Sequence, residues 1–279
     1  MKQIKLVTDS ACDFSPELDF GDRFTRLPLA IHVGDREFID DESLDIQDLL
    51  SAMKATSDGP KTASPSPGDF LKEFAGEDRV FVVTVSSQLS GSYSNALLAA
   101  RLAMEENLAR FIHVFDSKTA SIGQTLVNLK VAELIRKNCA EAEIVEKVTE
   151  YINGLRTYCL LESLDNLVKS GRVAKLVAKL GSMLSIRLIL TRNHEGSIEL
   201  ADKVRGAKRA LKRLLDMIAE TGDKFEGKVC GIAHVNCREK AEQLRTEILK
   251  RFRFKDVIIV QGSGITTVYG DEGGLVLAF

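Results

Sequence analysis

The residues best placed to do chemistry in this chain are hydroxyls. An apolar stretch, Val80 to Val85, runs into Ser86-Ser87-Gln88-Leu89-Ser90-Gly91-Ser92-Tyr93. A continuous apolar run is the pattern of a parallel strand buried on both faces. Ser94 to Met104 then has the Ala and Leu content of a stable helix. The serines therefore fall in a strand-to-helix turn, where free N–H groups meet the positive end of a helix dipole and an anion is favoured. Several hydroxyls with no fixed cation suit an oxygen-rich ligand. Capping of the helix by Ser90 or Ser92, with no ligand at all, explains the same residues.

Other chemistries find less support. A serine hydrolase needs a GxSxG elbow with a histidine and an acid; the turn has the placement but lacks the glycine before the serine, and His234, ending a predicted strand where a catalytic histidine could sit, reads better as a satisfied core or turn histidine. An enzyme using Ser86 to Ser92, a hydrolase or a small-molecule transferase, stays open as an alternative. Gly262-Ser263-Gly264 follows the last core strand, yet no third glycine and no clear helix follow, so no nucleotide fingerprint forms, and Tyr269 to Gly274 reads as a turn. His32, His113, His194 and His234 have no metal-ligand spacing, and the five cysteines, Cys12, Cys139, Cys159, Cys230 and Cys237, include no CxxC pair. No metal site, disulfide framework or catalytic base-and-metal set is expected.

The elements that must position the hydroxyls follow from apolar runs and turn residues. Strands are expected at Ile4 to Thr8, Leu27 to Val33, Val80 to Val85 and Phe111 to Phe115. Helices are expected at Asp45 to Lys54, from near Ser92, at Thr119 to Lys137 and at Glu143 to Leu155, with Ser57 to Gly68 a Pro/Ser/Gly-rich loop. This alternation predicts a parallel sheet covered by helices. Ligands collect at the carboxyl ends of such strands, where Thr8-Asp9-Ser10, Ser86 to Ser92 and Asp116-Ser117-Lys118 all fall. Beyond about residue 155 come strands at Tyr158 to Leu161, Ile186 to Thr191, Ser197 to Val204, Lys228 to His234 and Val257 to Gln261, the second and third joined as a hairpin. Helices are expected there at Leu164 to Ser170, Ala174 to Leu184, Ala207 to Glu220 and Arg238 to Phe252. The fold class is therefore α/β in two domains, 1–155 with a parallel sheet and 156–279 with a mixed sheet.

With 279 residues and a formal charge of -2, the chain shows no global basic field for nucleic acid. Lys203, Arg205, Lys208, Arg209, Lys212 and Arg213 crowd one helix start, an ordinary solvated face or a contact for an acidic partner. No apolar run spans a bilayer and no signal peptide pattern opens the chain, so a cytoplasmic protein without stable membrane anchoring is expected.

Taken in order, Thr8-Asp9-Ser10 with Asp13, Pro28-Leu29, Thr62-Ala63-Ser64-Pro65-Ser66 with Phe70, Ser86 to Tyr93, Phe115-Asp116-Ser117-Lys118, Lys169-Ser170-Gly171-Arg172 and Lys203-Val204-Arg205-Gly206 resemble the DegV family over essentially the full length. The resemblance implies a two-domain DegV-like fold with one long-chain fatty acid held between the domains. It also implies a non-catalytic role: the protein presents the carboxylate to a partner fatty acid kinase, which brings ATP and magnesium and makes the acyl phosphate. This chain itself then needs no cofactor. A lipid binder with no kinase partner is a further alternative.

By the same resemblance, Thr62 and Ser90 hold the carboxylate and Arg172 lies near it. Ser10, Ser87, Gly91 and Tyr269 complete the expected binding set. Neutral donors suit a carboxylate that must stay nucleophilic better than a bidentate arginine does. Two departures stand out: Ala63 replaces a small polar residue, and Tyr269-Gly270-Asp271-Glu272-Gly273 occupies the place of a histidine followed by a glycine-rich turn. A tyrosine donates a hydrogen bond but carries no positive charge near neutral pH.

Overall fold

A computed structural model of the chain describes residues 4–173 and 186–279. The helix expected at 174–184 lies outside the described residues. In the first part the order is β1 (Lys5–Asp9), β2 (Phe24–Leu27), β3 (Ala30–Val33), β4 (Arg36–Ile39), α1 (Ile46–Ala55), β5 (Lys61–Ala63), α2 (Pro67–Phe74), β6 (Arg79–Thr84), α3 (Ser92–Glu106), β7 (Phe111–Asp116), α4 (Ile122–Arg136) and α5 (Glu141–Gly154). There follow β8 (Thr157–Leu161), α6 (Asp165–Lys169), β9 (Ile186–Arg192), β10 (Ile198–Arg205), α7 (Ala207–Thr221), β11 (Val229–His234), α8 (Arg238–Arg251), β12 (Asp256–Gln261), α9 (Gly264–Gly270) and β13 (Leu275–Ala278).

The described residues form three sheets. A parallel sheet runs β2-β1-β6-β7, with Val7 beside Val82 and Val83 beside Phe115. Its central strand β6 is buried on both faces, as a run of Val and Phe requires. The second sheet runs β10-β9-β8-β13-β11-β12 and is mixed: β11 and β12 are parallel, while the other pairings are antiparallel. The hairpin expected around Arg192 to Gly196 is present as β9 and β10. Helices α7 and α8 cover one face of this sheet through Leu214, Ile218, Leu244 and Ile248.

Helix α4 joins the two sheets. It packs on β1 and β6 on one side and on β11 and β13 on the other, and its first two turns are wholly buried. Where it lies between the two sheets the helix faces no solvent, which is why Ile122, Leu126, Val127 and Val131 pack into the core, while Arg136 at its end is exposed.

Three expectations need correction. Leu27 to Val33 is not one strand: Pro28 has no N–H for a ladder, and the chain leaves the parallel sheet there to form the small antiparallel sheet β4-β3-β5. Ser57 to Gly68 is not all loop, because Thr62 pairs with Ile31 in β5 and Pro67 opens α2 behind a Ser66/Asp69 capping box. Gly262-Ser263-Gly264 is followed by a helix after all, and Tyr269 sits on that helix, α9, rather than in a turn.

Among the described residues no helix is long and apolar enough to cross a membrane. In the basic run after β10, Arg213 is bonded to Asp202 and Glu220, whereas Lys208, Arg209 and Lys212 stay exposed.

Candidate functional site

The serine turn is held from beneath by a buried acid. One oxygen of Asp9 accepts the Val85 N–H at 2.9 Å and the Ser92 hydroxyl at 2.6 Å; the other accepts Gln124 Nε2 at 2.9 Å. Burial raises the Asp9 pKa above the usual carboxylate range, against the pull of those hydrogen bonds. Within the turn, the Ser86 carbonyl accepts the N–H groups of Leu89 and Ser90. Helix capping does not explain the serines, since the N-cap of α3 is Gly91 and no side chain caps it. The Ser92 hydroxyl is committed to Asp9, and among the described residues Ser90 Oγ accepts only the Ser92 N–H, at 3.3 Å.

Two further elements converge on this turn. Asn95 of α3 donates to Ser64 Oγ at 3.3 Å and to the Pro65 carbonyl at 2.9 Å, which docks the chain after β5 against the helix. Helix α9 arrives from the other sheet, its first N–H groups taken by acids of the N-terminal part. Asp13 accepts the Ser263 N–H at 2.8 Å and the Thr266 hydroxyl at 2.7 Å. Asp40 accepts the N–H groups of Gly264 at 2.7 Å and Ile265 at 3.1 Å. Negative charge at a helix N-terminus is favourable. Even so, burial pushes the Asp40 carboxyl up to about 6, with Arg26 pulling the other way.

So anchored, α9 brings Tyr269 to Thr62, with 2.8 Å between the two hydroxyl oxygens. Arg172 places its guanidinium carbon 5.4 Å from the Tyr269 ring centroid. Its Nε and Nη1 donate to the carbonyls of Leu89 and Ser170 at 3.4 and 3.0 Å. Glu272, one of the two acids following Tyr269, is drawn off by Lys54 and Asn236.

These groups form one end of a cavity between the two sheets. Ala11, Leu29, Val85, Leu89 and Ile265 line one wall, and Cys159, Leu161, Leu167, Leu190, Ile198 and Val276 line the other. The space between the lining atoms is about 960 Å³, its open part included. Thr119, Thr157, Thr191 and Arg192 also reach the wall but turn polar atoms to partners elsewhere. Thr119 and Thr157 share a 3.0 Å hydrogen bond, Thr191 donates to the Thr157 carbonyl at 3.0 Å, and Arg192 donates to the Ile152 and Leu155 carbonyls. The accessible surface is therefore apolar.

The β9–β10 tip closes over the serine turn at Gly196, whose carbonyl accepts the Ser86 hydroxyl at 2.9 Å. Only glycine fits: φ is +95°, and a Cβ would stand 2.3 Å from Ser86 Oγ and 2.8 Å from Lys118 Cα.

Of the residues expected to bind, Thr62, Ser90, Arg172 and Tyr269 meet at the cavity wall, whereas Ser10, Ser87 and Gly91 are not part of it. Ser10 is wholly buried, accepting the Leu29 N–H and donating to Asp40. Ser87 gives its N–H to Asp116, and Gly91 lies against Ser64. None of His32, His113, His194 and His234 lines the cavity; His234 turns Nδ1 toward the Cys237 N–H instead. Sequence reasoning missed the supporting roles of Asp9, Asp13 and Asp40. The first two stood inside a quoted motif, but Asp40 carried no local signal.

Comparison with known proteins gives a consistent result. A model of the DegV family matches residues 3–279. A DegV domain-containing protein of Streptococcus pneumoniae is 34% identical over 277 residues, which is 99% of this chain and 98% of the relative. Among solved structures, a DegV family protein from Ruminococcus gnavus with vaccenic acid has a TM-score of 0.94 at 36% identity, with 99% of each chain covered. The fatty acid kinase (Fak) B3 protein of Streptococcus pneumoniae, loaded with linoleic acid, has a TM-score of 0.92 at 34% identity, again with 99% of each chain covered. A DegV family protein from Eubacterium eligens loaded with heptadecanoic acid has a TM-score of 0.91 at 32% identity, over 99% of this chain and 98% of the other.

Proposed function

This chain belongs to the DegV family, and from that premise we propose that it binds one long-chain fatty acid between units 1–155 and 156–279 and presents the carboxylate to a separate fatty acid kinase. One observation carries the reading: an apolar cavity ends at a pair of hydroxyls, Thr62 and Tyr269, that among the described residues are bonded only to each other. A carboxylate placed between them takes a hydrogen bond from each and leaves neither donor unpaired. Ser90 is the third donor at that end, and Arg172 adds positive charge without a bidentate grip, because its N–H groups face carbonyls. The bound carboxylate thus keeps a lone pair for attack on phosphorus.

The tail supplies the affinity, at about 0.8 kcal/mol per buried CH₂. In this reading the chain is non-catalytic and cytoplasmic, and ATP and magnesium belong to the partner.

The test starts from protein stripped of lipid. It should take up one equivalent of a C16–C18 acid, and Thr62→Ala with Ser90→Ala should weaken uptake by about 1.5–3 kcal/mol for each bond lost to the charged group. Acyl phosphate should form only when this protein, a fatty acid kinase catalytic subunit, ATP and magnesium are combined. No uptake of any long-chain acid defeats the proposal. Unchanged affinity in the double variant moves the head group elsewhere.

A further inference from the structure

Helix α3 is joined directly to both hydroxyl turns. It starts at Ser92, two residues after Ser90, and its Asn95 bonds to Ser64 and Pro65, shortly after Thr62. The Ser92 hydroxyl is fixed on Asp9, and the buried face is built from Ala96, Ala99, Ala100 and Ala103, which let the helix lie close against β6 and β7. The helix is therefore a rigid handle on that end of the molecule.

Its outer face is apolar where a solvated helix is polar. Leu97, Leu98 and Leu102 are 40%, 46% and 40% exposed, and Leu108, just past the helix end, is 92% exposed. Leu98 stands one turn before Leu102 with Leu97 beside it, so the patch begins about 9 Å along the helix from Ser92. The other large apolar side chains exposed among the described residues, Ile39 and Leu249, lie apart on other elements. A single exposed leucine needs no explanation, whereas a cluster marks a contact surface. Charge says what kind of surface meets it. Arg101, Glu105 and Glu106 are exposed on the same helix and make no ion pair among the described residues. Residues 1–155 as a whole carry an excess of Asp and Glu over Lys and Arg, which residues 156–279 reverse. An apolar stripe on an acidic unit fits a partner that is basic around an apolar ridge. The same acids repel an anionic bilayer and a second copy of this unit.

We infer that the face of α3 formed by Leu97, Leu98 and Leu102 is the surface on which the fatty acid kinase docks, through a basic face with an apolar ridge. The inference rests on the kinase reading above. That partner must reach the carboxylate in every turnover and leave again. A contact on α3 sets its position relative to Ser90 and Thr62 at once, because the helix is tied to both turns. It does so without touching the cavity, so docking and lipid uptake are separable.

Acyl phosphate formation is measured with a fatty acid kinase catalytic subunit, ATP and magnesium while the concentration of hexadecanoate-loaded protein is varied. Leu98→Gln with Leu102→Gln keeps good helix formers on the surface. It should raise the KM for the loaded protein about tenfold, as the half-exposed ends of two leucines lost from an interface allow, and leave kcat and hexadecanoate uptake unchanged. Leu102→Gln alone should give part of the rise, which serves if the double variant does not fold, and Leu249→Gln on α8 should give none. Glu105→Lys with Glu106→Lys should raise KM at low salt, an effect that NaCl erodes. An unchanged KM in both leucine variants, or a KM lowered by the charge reversal, overturns the inference and leaves the fatty acid reading intact. A raised KM with lost uptake would make α3 a support of the cavity and overturn it. So would a wild-type dimer, or binding to phosphatidylglycerol vesicles, that the double variant loses. No acyl phosphate from wild-type protein that does take up hexadecanoate defeats the kinase reading as well.

Discussion

At the scale of single residues, the site turns on a hydroxyl pair. Ser90 was legible from its hydroxyl-rich turn and Thr62 only through the family resemblance, and both line the cavity. Ser10, Ser87 and Gly91 lie in equally suggestive turns, yet their polar groups serve the scaffold. A turn motif reports that hydroxyls and N–H groups are present. Which of them point at a ligand depends on partners distant in sequence, such as Asp40 for Ser10, thirty residues away. Tyr269 is the most exposed to test. Tyr269→Phe keeps the ring beneath Arg172 and removes one donor, so fatty acid affinity should fall about tenfold or more, one charge-assisted bond's worth, with little change in melting temperature. Calorimetric titration decides it, and an unchanged affinity would remove Tyr269 from the head-group set.

At the scale of elements, strands such as β1, β6 and β11 could be read from apolar runs because each is buried between neighbouring strands on both sides. Helix α9 could not. It is seven residues long and starts with Gly264, and its N-terminus is stabilised by Asp13 and Asp40, some two hundred and more residues earlier. That clamp makes a prediction about pH. The Asp40 carboxyl is pushed up from 3.8 to about 6, so the folded state holds the proton more tightly than the unfolded one. Its contribution to stability is therefore full below pH 4 and declines as pH rises through 6, by on the order of 3 kcal/mol. In denaturant titrations, the stability of Asp40→Asn relative to wild type should improve from pH 4 to pH 7. A difference that is flat, or that moves the other way, would show Asp40 to be an ordinary ionised cap.

At the scale of the whole molecule, the cavity exists because α4 and α9 hold a parallel sheet and a mixed sheet at a fixed spacing, with the Gly196 tip closing over the serine turn. Its length should set which chains fit. Cys159 lies on the cavity wall beside Leu190, and Cys159→Phe should shorten the space. Affinity for C18 acids should then fall by about 0.8 kcal/mol for each CH₂ left unburied, while shorter acids bind nearly as well. An equal loss at every chain length would instead mean general overpacking, which costs about 1–3 kcal/mol.

The sequence by itself determined the α/β class, the hairpin at residues 186–205 and the hydroxyl-rich turns, since each depends on local periodicity, proline and glycine chemistry, or contiguous motifs. Only the tertiary structure decided that Thr62, Ser90, Arg172 and Tyr269 share one cavity end while Ser10, Ser87 and Gly91 do not. The physical reason is that a binding site is made of directions and long-range partners. Thr62 and Tyr269, 207 residues apart, meet only because buried acids in one half fix a short helix of the other.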